Sequence, residues 1–143
     1  FEYFKATINN KFVIVADRNS EPTAIRFAQQ IQENAKLEAF VNVLPENNHN
    51  VLETYYSQLP SNVVLLNGCS NERVDLRFEF LKTILDKNQI PYASITYDGE
   101  VIPEIYKTVH ILDWVSIFLS SASGANNMEV KNISELKDYL TKN

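Results

Sequence analysis

Short, uninterrupted runs of apolar residues constrain the fold of this chain more than any other feature. Phe12–Ala16 and Val63–Leu66 are such runs, rich in β-branched residues, and they have the composition of strands buried on both faces of a sheet. Each run leads through turn residues into a stretch where apolar residues recur at helical spacing. This alternation predicts a three-layer α/β/α domain with a mainly parallel sheet.

The remaining elements continue the alternation. Two further strands are predicted, at Ala39–Leu44 and Tyr92–Tyr97. Helices are predicted from Glu21 to about Ala35, after Asn47–Asn50, over Glu72–Lys87, from Pro103 to Ser121 in one or two pieces, and over Ile133–Leu140. Ligands of such folds usually bind beyond the carboxyl ends of the strands, so the loops after Ala16, Leu66 and Tyr97 are candidate sites.

The run Val109–Leu119 predicts a buried helix, because it is nearly all apolar but is interrupted by His110 and Asp113 and is too short to span a membrane. We expect His110 to have a structural role. The aromatic side chains are expected to belong to the core and not to a sugar-binding platform, namely Tyr55, Tyr56, Trp114 and Phe118.

Composition limits the classes of function. The chain has 143 residues, the size of one domain, and we expect residues 1–143 to form a single one. Thirteen Lys and Arg against eighteen Asp and Glu give a net charge of −5, which does not favour nucleic acid or an anionic membrane as a partner. Cys69 is the single cysteine, so no internal disulfide or thiolate metal cage can form.

The ends of the chain carry two further expectations. No signal peptide pattern is present, so we expect a cytoplasmic protein. The sequence begins at Phe1 without a methionine, which suggests a domain of something longer.

Several ligand-binding motifs are absent. The first strand leads into Asp17–Ser20 without a glycine, which excludes the dinucleotide fingerprint and argues against a flavodoxin-like electron carrier. Ser121–Gly124 has the composition of a sugar-phosphate loop. It follows a predicted helix instead of a strand, so we interpret it as a helix C-terminus capped by Gly124.

One set of motifs is specific. Glu33-Asn34-Ala35-Lys36 ends the first predicted helix, and Leu44-Pro45-Glu46 and Asn48-His49-Asn50 follow the next strand. Together they resemble the C-terminal domain of the bifunctional phosphoglucose/phosphomannose isomerase family, a branch of the sugar isomerase (SIS) superfamily. Supporting similarity covers nearly the whole chain, in Arg73–Glu79, Asp113–Leu119 and Val130–Leu140.

The resemblance implies a SIS-type, flavodoxin-like fold and an aldose–ketose isomerisation of hexose 6-phosphates, such as glucose 6-phosphate to fructose 6-phosphate, with no metal or organic cofactor. Glu33 matches the family's base, which moves a proton between C1 and C2 through a cis-enediolate. His49 matches the residue that opens the sugar ring in the neighbouring subunit's site, which implies a homodimer. Lys137 matches a C-terminal lysine that assists ring opening and steadies negative charge.

The family's phosphate-binding loop and an arginine that supports the enediolate belong to an N-terminal SIS domain outside this chain. We therefore expect the chain alone to be half an active site and a weak enzyme. Gly124-Ala125-Asn126-Asn127 stands where the family usually has Gly-x-Asp-Pro. That departure leaves a non-catalytic sugar-phosphate-binding or regulatory SIS module as the alternative, whereas Glu33 and His49 favour the enzyme.

Overall fold

In the computed structural model the structure describes residues 8, 10–56 and 61–142. Four parallel strands form one sheet in the order β2-β1-β3-β4. The strands are β1 (Lys11–Ala16), β2 (Ala39–Val43), β3 (Ser61–Asn67) and β4 (Tyr92–Thr96). Because every strand runs the same way, each following helix must carry the chain back from the carboxyl edge of the sheet to its amino edge.

The helices are α1 (Glu21–Gln30), continued by a π-helical turn (Ile31–Ala35), then α2 (Glu72–Lys87), α3 (Val101–Ser123) and α4 (Lys131–Lys142). A 3-10 turn at Glu46–Asn48 follows β2, and a second one, Val51–Tyr56, stands where the sequence predicts a helix after Asn50. The stretch around Pro103 is one continuous helix, because a proline in the first turn forfeits no intrahelical hydrogen bond.

The core lies in two layers, one on each face of the sheet. α1 and α3 cover one face, where Phe12, Ile14, Phe27, Leu112 and Leu119 are buried. α2 covers the other face with the four residues that its periodicity predicts, Val74, Phe78, Leu81 and Leu85. Residues alternate between the two layers along β1 and β3, as expected for strands buried on both faces. The three-layer α/β/α prediction is confirmed.

The prediction that Val109–Leu119 is a buried helix is wrong for one face of α3. Leu112 and Leu119 point into the core, whereas Ile111, Trp114 and Phe118 are exposed. Trp114 and Phe118 are therefore not core residues, contrary to the prediction. An apolar composition predicts that a helix is buried, but only one face of α3 packs against other described residues. Tyr55 is buried as predicted, and the side chain of Tyr56 lies outside the described residues.

His110 lies on the exposed face of α3.

None of the helices in residues 10–56 and 61–142 combines the length and the apolar content needed to cross a bilayer.

Candidate active site

Glu33 lies in the π-helical turn that extends α1 towards the amino edge of the sheet. Turns of this kind are rare and occur frequently at functional sites. Lys36 ends the turn in the left-handed conformation, with φ of 59°, and the chain then enters β2. The sequence motif that contains Glu33 is therefore a local distortion at the end of a regular helix.

Hydrogen bonds on both sides of Glu33 fix this turn. Asn34 donates from Nδ2 to Ser116 Oγ of α3 at 2.8 Å. Ser123 Oγ, at the end of α3, donates to the carbonyl of Ala35 at 3.1 Å. The Lys36 ammonium donates to the carbonyl of Glu33 itself and to that of Glu129. The backbone that carries Glu33 is thus held by α3 and by the segment that precedes α4.

The carboxylate of Glu33 opens into a groove of about 490 Å³ between this turn and the start of α4. The groove is lined by Gln32, Glu33, Lys36, Glu129, Val130, Lys131, Asn132 and Ile133. The Glu33 side chain is exposed, and its carboxylate makes no hydrogen bond or ion pair with any residue in the described part of the chain. A carboxylate on a fixed backbone, in a groove that two lysines also line, is positioned to exchange a proton with a bound molecule.

His49 lies elsewhere in the chain. It caps the 3-10 turn that follows β2, is exposed, and stands at the carboxyl edge of the sheet. Glu33 precedes β2 at the amino edge, and a five-residue strand spans about 16 Å. The two residues that the resemblance assigns to one reaction are therefore at opposite ends of β2 within a single copy of the chain.

Lys137 lies in the middle of α4, a helix whose described side chains are all exposed. It does not line the groove beside Glu33; the lysines that do are Lys36 and Lys131. The structure does not bring Lys137 together with Glu33 or His49 in one copy.

A network of hydrogen bonds around the buried Asp17 joins the loops after β1 and β3 at the carboxyl edge. Its Oδ1 accepts from the backbone N–H of Ser20 at 3.0 Å, from the Ser20 hydroxyl at 2.7 Å and from the N–H of Gly68 at 2.9 Å. Its Oδ2 accepts from the N–H of Ser70 at 2.9 Å. Burial opposes ionisation, but the hydrogen bonds from Ser20 and Ser70 prevail and lower the pKa of Asp17.

These two loops are among those that the fold predicts as ligand sites. Position 68, where the two loops meet, has no room for a side chain. A Cβ there would stand 2.6 Å from Asp17 Oδ1 and 2.8 Å from the nitrogen of Ser20, so glycine fits and larger residues do not. Cys69 is exposed, and partial desolvation together with nearby carboxylates raises the pKa of its thiol, which makes it a poor nucleophile at neutral pH. Among the described residues no three His, Cys, Asp or Glu side chains converge on a metal site.

Ser121–Gly124 is the end of a helix, as its place in the sequence predicts. Gly124 adopts the left-handed conformation with φ of 71°, and its N–H bonds to the last turn of α3. The Ser123 hydroxyl bonds to protein carbonyls, including that of Ala35 beside Glu33. This hydroxyl therefore helps to position the candidate base.

Comparison with known proteins identifies the family. Residues 4–140 match the model of the bacterial phospho-glucose isomerase C-terminal SIS domain. The chain belongs to this family. It is 31% identical over 124 residues to a bifunctional phosphoglucose/phosphomannose isomerase of Aquifex aeolicus, an alignment that covers 83% of the chain and 39% of that protein. A segment of 37 residues is 57% identical to a D-glucosamine-6-phosphate 4-epimerase of Sulfolobus acidocaldarius, covering 26% of the chain and 12% of the epimerase.

Solved structures confirm the fold of the SIS domain. A glucose-6-phosphate isomerase like protein from Thermus thermophilus superposes with a TM-score of 0.62 at 15% identity, over 88% of the SIS chain and 42% of the Thermus protein. A protein from Clostridium difficile gives 0.64 at 10% identity, over 91% and 40%. At such identities the match concerns the fold alone. The SIS chain spans about two fifths of the length of the Aquifex protein and of both solved chains.

Sequence reasoning missed the residues that hold Glu33 in place. Asn34 is part of the recognised motif, but its partners Ser116 and Ser123 lie on a helix far along the chain. Serines on the inner side of the mainly apolar C-terminal half of α3 were the available signal, because a buried hydroxyl requires a hydrogen-bond partner.

Proposed function

We propose that this SIS domain supplies the base-carrying half of a phosphosugar isomerase site that interconverts hexose 6-phosphate aldoses and ketoses, glucose 6-phosphate and fructose 6-phosphate first among them. Glu33 is the base. Its carboxylate takes a proton from one of the carbons C1 and C2 and returns it to the other on the same face of a cis-enediolate. No residue of the described chain is required to bind a cofactor for this step.

One observation carries the proposal: Glu33 projects, without a partner among the described residues, from a turn whose backbone is fixed on both sides. A base that already accepts an internal hydrogen bond would have to break it before each proton transfer. A base on a mobile loop would lack a defined position. In well-oriented reactions a defined position lowers the activation free energy by about 7 kcal/mol or more. Lys36 and Lys131 border the same groove; Lys36 donates to two carbonyls and Lys131 pairs with Glu129 at 3.2 Å, and we propose that their positive charges also stabilise a bound enediolate.

The separation of Glu33 from His49 supports a shared site. We assign ring opening to His49 of a second copy, because within one copy the length of β2 keeps His49 away from Glu33. Lys137 is proposed as the third proton-transfer residue, reaching the substrate from exposed α4 in the assembled protein. A homodimer is therefore the unit that we propose for catalysis.

The proposal also needs groups that the described residues do not supply. A cradle for the phosphate and an arginine beside the enediolate are expected from a further SIS domain, since the relatives are more than twice the length of this chain. Each preorganised donor contributes about 3 kcal/mol to stabilisation of the charged intermediate. The 143-residue chain alone should be inactive or weak.

A second candidate function has an observation of its own. The short segment that is 57% identical to D-glucosamine-6-phosphate 4-epimerase favours an amino-sugar phosphate as an alternative ligand. A regulatory module that binds sugar phosphate without turnover would also be compatible with Gly124-Ala125-Asn126-Asn127 in place of Gly-x-Asp-Pro. Assays with fructose 6-phosphate, mannose 6-phosphate and glucosamine 6-phosphate separate these possibilities.

The test is a coupled isomerase assay on the chain within its full-length gene product, with Glu33→Gln as the variant. Loss of the base should lower kcat by about 100- to 10,000-fold while binding of fructose 6-phosphate persists. The matched control is Glu38→Gln, because Glu38 is an exposed glutamate whose ion pair with Lys11 contributes less than about 1 kcal/mol. Turnover that survives in Glu33→Gln would remove Glu33 as the base. Binding without turnover in the unmodified protein would favour the regulatory module.

A further inference from the structure

The turn that carries His49 is attached to the rest of the molecule at few points. His49 ends the 3-10 turn Glu46–Asn48, is exposed, and its backbone N–H bonds to the carbonyl of Glu46 at 2.9 Å. Its imidazole makes no hydrogen bond or ion pair with a described residue. The position of the imidazole therefore depends on what fixes the backbone of the turn.

Arg77 of α2 provides such a fixed point. In the described part of the chain it is the one side chain from another element that donates a hydrogen bond to the turn, and its Nη1 lies 3.0 Å from Oδ1 of Asn48, the residue before His49. Arg77 is half-buried, and its helical neighbours Val74 and Phe78 are buried against the sheet. The donor thus stands on a backbone that the core holds in place.

Arg77 has no acidic partner among the described residues. The acids two positions to either side on its own helix are engaged elsewhere: Asp75 accepts from Asn67 at 3.0 Å, and Glu79 pairs with Lys82 at 2.7 Å. Hydrogen bonds from a charged donor are about twice as strong as those between neutral groups. The bond from the guanidinium to the turn is therefore stronger than an ordinary amide hydrogen bond.

The side-chain amide of Asn48 depends on this bond for its orientation. Its Nδ2 is buried and has no partner among the described residues, so the bond to Arg77 is the hydrogen bond that fixes the amide. A guanidinium can only donate, and it therefore also decides that the oxygen of the amide, and not the nitrogen, faces α2.

We propose that Arg77 is a positioning residue for His49: its guanidinium holds Asn48 against α2 and thereby fixes the turn from which the imidazole acts. This role rests on the proposed function, in which His49 opens the sugar ring. Arg77 itself does not touch the substrate and acts through Asn48. A residue that opens the ring gains from a defined position as a base does, because well-oriented groups react faster.

The first test follows amide hydrogen exchange of the chain by NMR, with circular dichroism to confirm that each variant is folded. The N–H groups of Asn48 and His49 bond to the carbonyls of Pro45 and Glu46 at 3.0 and 2.9 Å, so they report on the turn directly. Arg77→Met keeps a long unbranched side chain and removes the charged donor. It should speed exchange at both groups about tenfold, the effect of losing one charge-assisted hydrogen bond. Unchanged exchange would overturn the proposal.

Arg73→Met is the matched control. Arg73 lies one helical turn before Arg77 and lines the same groove of about 340 Å³ beside Asn48, but it is exposed and donates no hydrogen bond to a described residue. The variant removes the same charge from the same side of α2 and should leave exchange unchanged. If Arg73→Met sped exchange as much as Arg77→Met, charge near the groove and not the bond would be responsible, and the proposal would be wrong.

A double-mutant cycle separates the bond from other effects of the substitution. Asn48→Ala removes the acceptor, so it should speed exchange of the His49 N–H about as much as Arg77→Met does. The double variant should exchange no faster than either single variant, because the same bond can be lost only once. Additive effects would show that Arg77 and Asn48 act independently, which contradicts the proposal.

The second test measures turnover in the full-length gene product. Arg77→Met should lower kcat about tenfold and leave KM within about twofold, because a displaced His49 opens the ring less often without weakening binding. Adding Arg77→Met to Asn48→Ala should lower kcat no further, and Arg73→Met should leave it unchanged. A further loss in the double variant, or a raised KM with unchanged kcat, would overturn the positioning role.

The two proposals fail in different ways. If the unmodified protein shows no isomerase turnover, the proposed function is wrong, and hydrogen exchange still decides whether Arg77 holds the turn. If Glu33→Gln abolishes turnover while Arg77→Met leaves it intact, the proposed function stands and the positioning role of Arg77 is overturned.

Discussion

The two ends of β2 differ in how completely their polar groups are satisfied. At the amino edge, the turn around Glu33 is held by Asn34, Lys36 and Ser123, and the Glu33 carboxylate makes no hydrogen bond with a described residue. At the carboxyl edge, the segment that carries His49 contains the buried Asn47, whose side chain faces the Tyr55 hydroxyl but forms no hydrogen bond of good geometry with any described residue. Asn48 Nδ2 has no hydrogen-bond partner among the described residues, and the Tyr55 hydroxyl has only its poorly aligned contact with Asn47.

Unpaired buried polar groups cost about 1–3 kcal/mol each, so they are rare unless something else completes them. The amino edge is thus preorganised within one copy. The carboxyl edge around His49 has the incomplete hydrogen bonding expected of a segment that is completed by another surface or by water. The difference indicates that Glu33 is positioned by the chain's own fold, and it is the difference we expect if His49 acquires its final surroundings in the proposed homodimer.

The largest expected effect is a loss of stability when Asp17, at the carboxyl edge, is replaced. Asp17→Asn removes a charged acceptor of four hydrogen bonds and should lower the free energy of unfolding by about 2–3 kcal/mol at neutral pH. Because the folded-state pKa of Asp17 lies below its ordinary value of 3.8, its contribution is complete above that value and is lost as the pH falls through the lowered pKa. Urea denaturation from neutral pH to about pH 3 checks this.

The variant should therefore lose less stability than the unmodified chain over the acid part of that range. Equal acid sensitivity of the two proteins would show that Asp17 does not hold the two loops together. The amino edge should be unaffected, because Asn34 and Ser123 bond to a different part of the molecule.

A smaller loss of stability is expected when Asn34, at the amino edge, is replaced. Asn34→Ala removes the bonds to Ser116 at 2.8 Å and to Gln30 at 3.1 Å, and should lower stability by about 1–2 kcal/mol. In the active protein it should also lower kcat about tenfold with little change in KM, because the base would be less well oriented.

Asn88→Ala is the control for loss of a bond of the same kind. Asn88 donates to the carbonyl of Ile84 at 2.9 Å, at the end of α2 and outside the groove that Glu33 lines. It should lower stability similarly without changing kcat. Equal kcat in Asn34→Ala and Asn88→Ala would contradict the positioning role of Asn34.

The smallest expected effect is the difference in stability between variants of two buried tyrosines. The Tyr97 hydroxyl donates to or accepts from Thr23 at 2.9 Å, whereas the Tyr55 hydroxyl has only a poorly aligned contact with Asn47 in the described part of the chain. Tyr97→Phe should cost about 1 kcal/mol, and Tyr55→Phe should be neutral or slightly stabilising. Thermal unfolding of the two variants checks the comparison. A loss in Tyr55→Phe as large as that in Tyr97→Phe would show that the His49 segment is already complete in one copy.

Much of the fold was predictable because local pattern and burial agree. The β-branched runs at Phe12–Ala16 and Val63–Leu66 became the central strands, and α2 spans the predicted Glu72–Lys87 with its four predicted residues inward. The exposed face of α3 was not predictable, since periodicity reports which residues are apolar and not whether a partner is present to cover them.

The candidate site was predictable only in part. Glu33 and His49 were found from a motif, but their separation by β2 follows from the direction of the strands, and the π-helical turn has no sequence signature in single residues. The supporting bonds from Ser116 and Ser123 join residues more than eighty positions apart, which pattern reasoning over short windows cannot detect.

The most direct measurement mixes two inactive variants of the full-length protein, Glu33→Gln and His49→Ala, under conditions where subunits exchange. If Glu33 of one copy works with His49 of the other, each mixed dimer regains one intact site, and an equal mixture should recover about a quarter of the unmodified activity. If both residues act within one copy, each subunit keeps a defect and the mixture stays inactive. Recovery would support the shared site, and a mixture that exchanges subunits but remains inactive would contradict it.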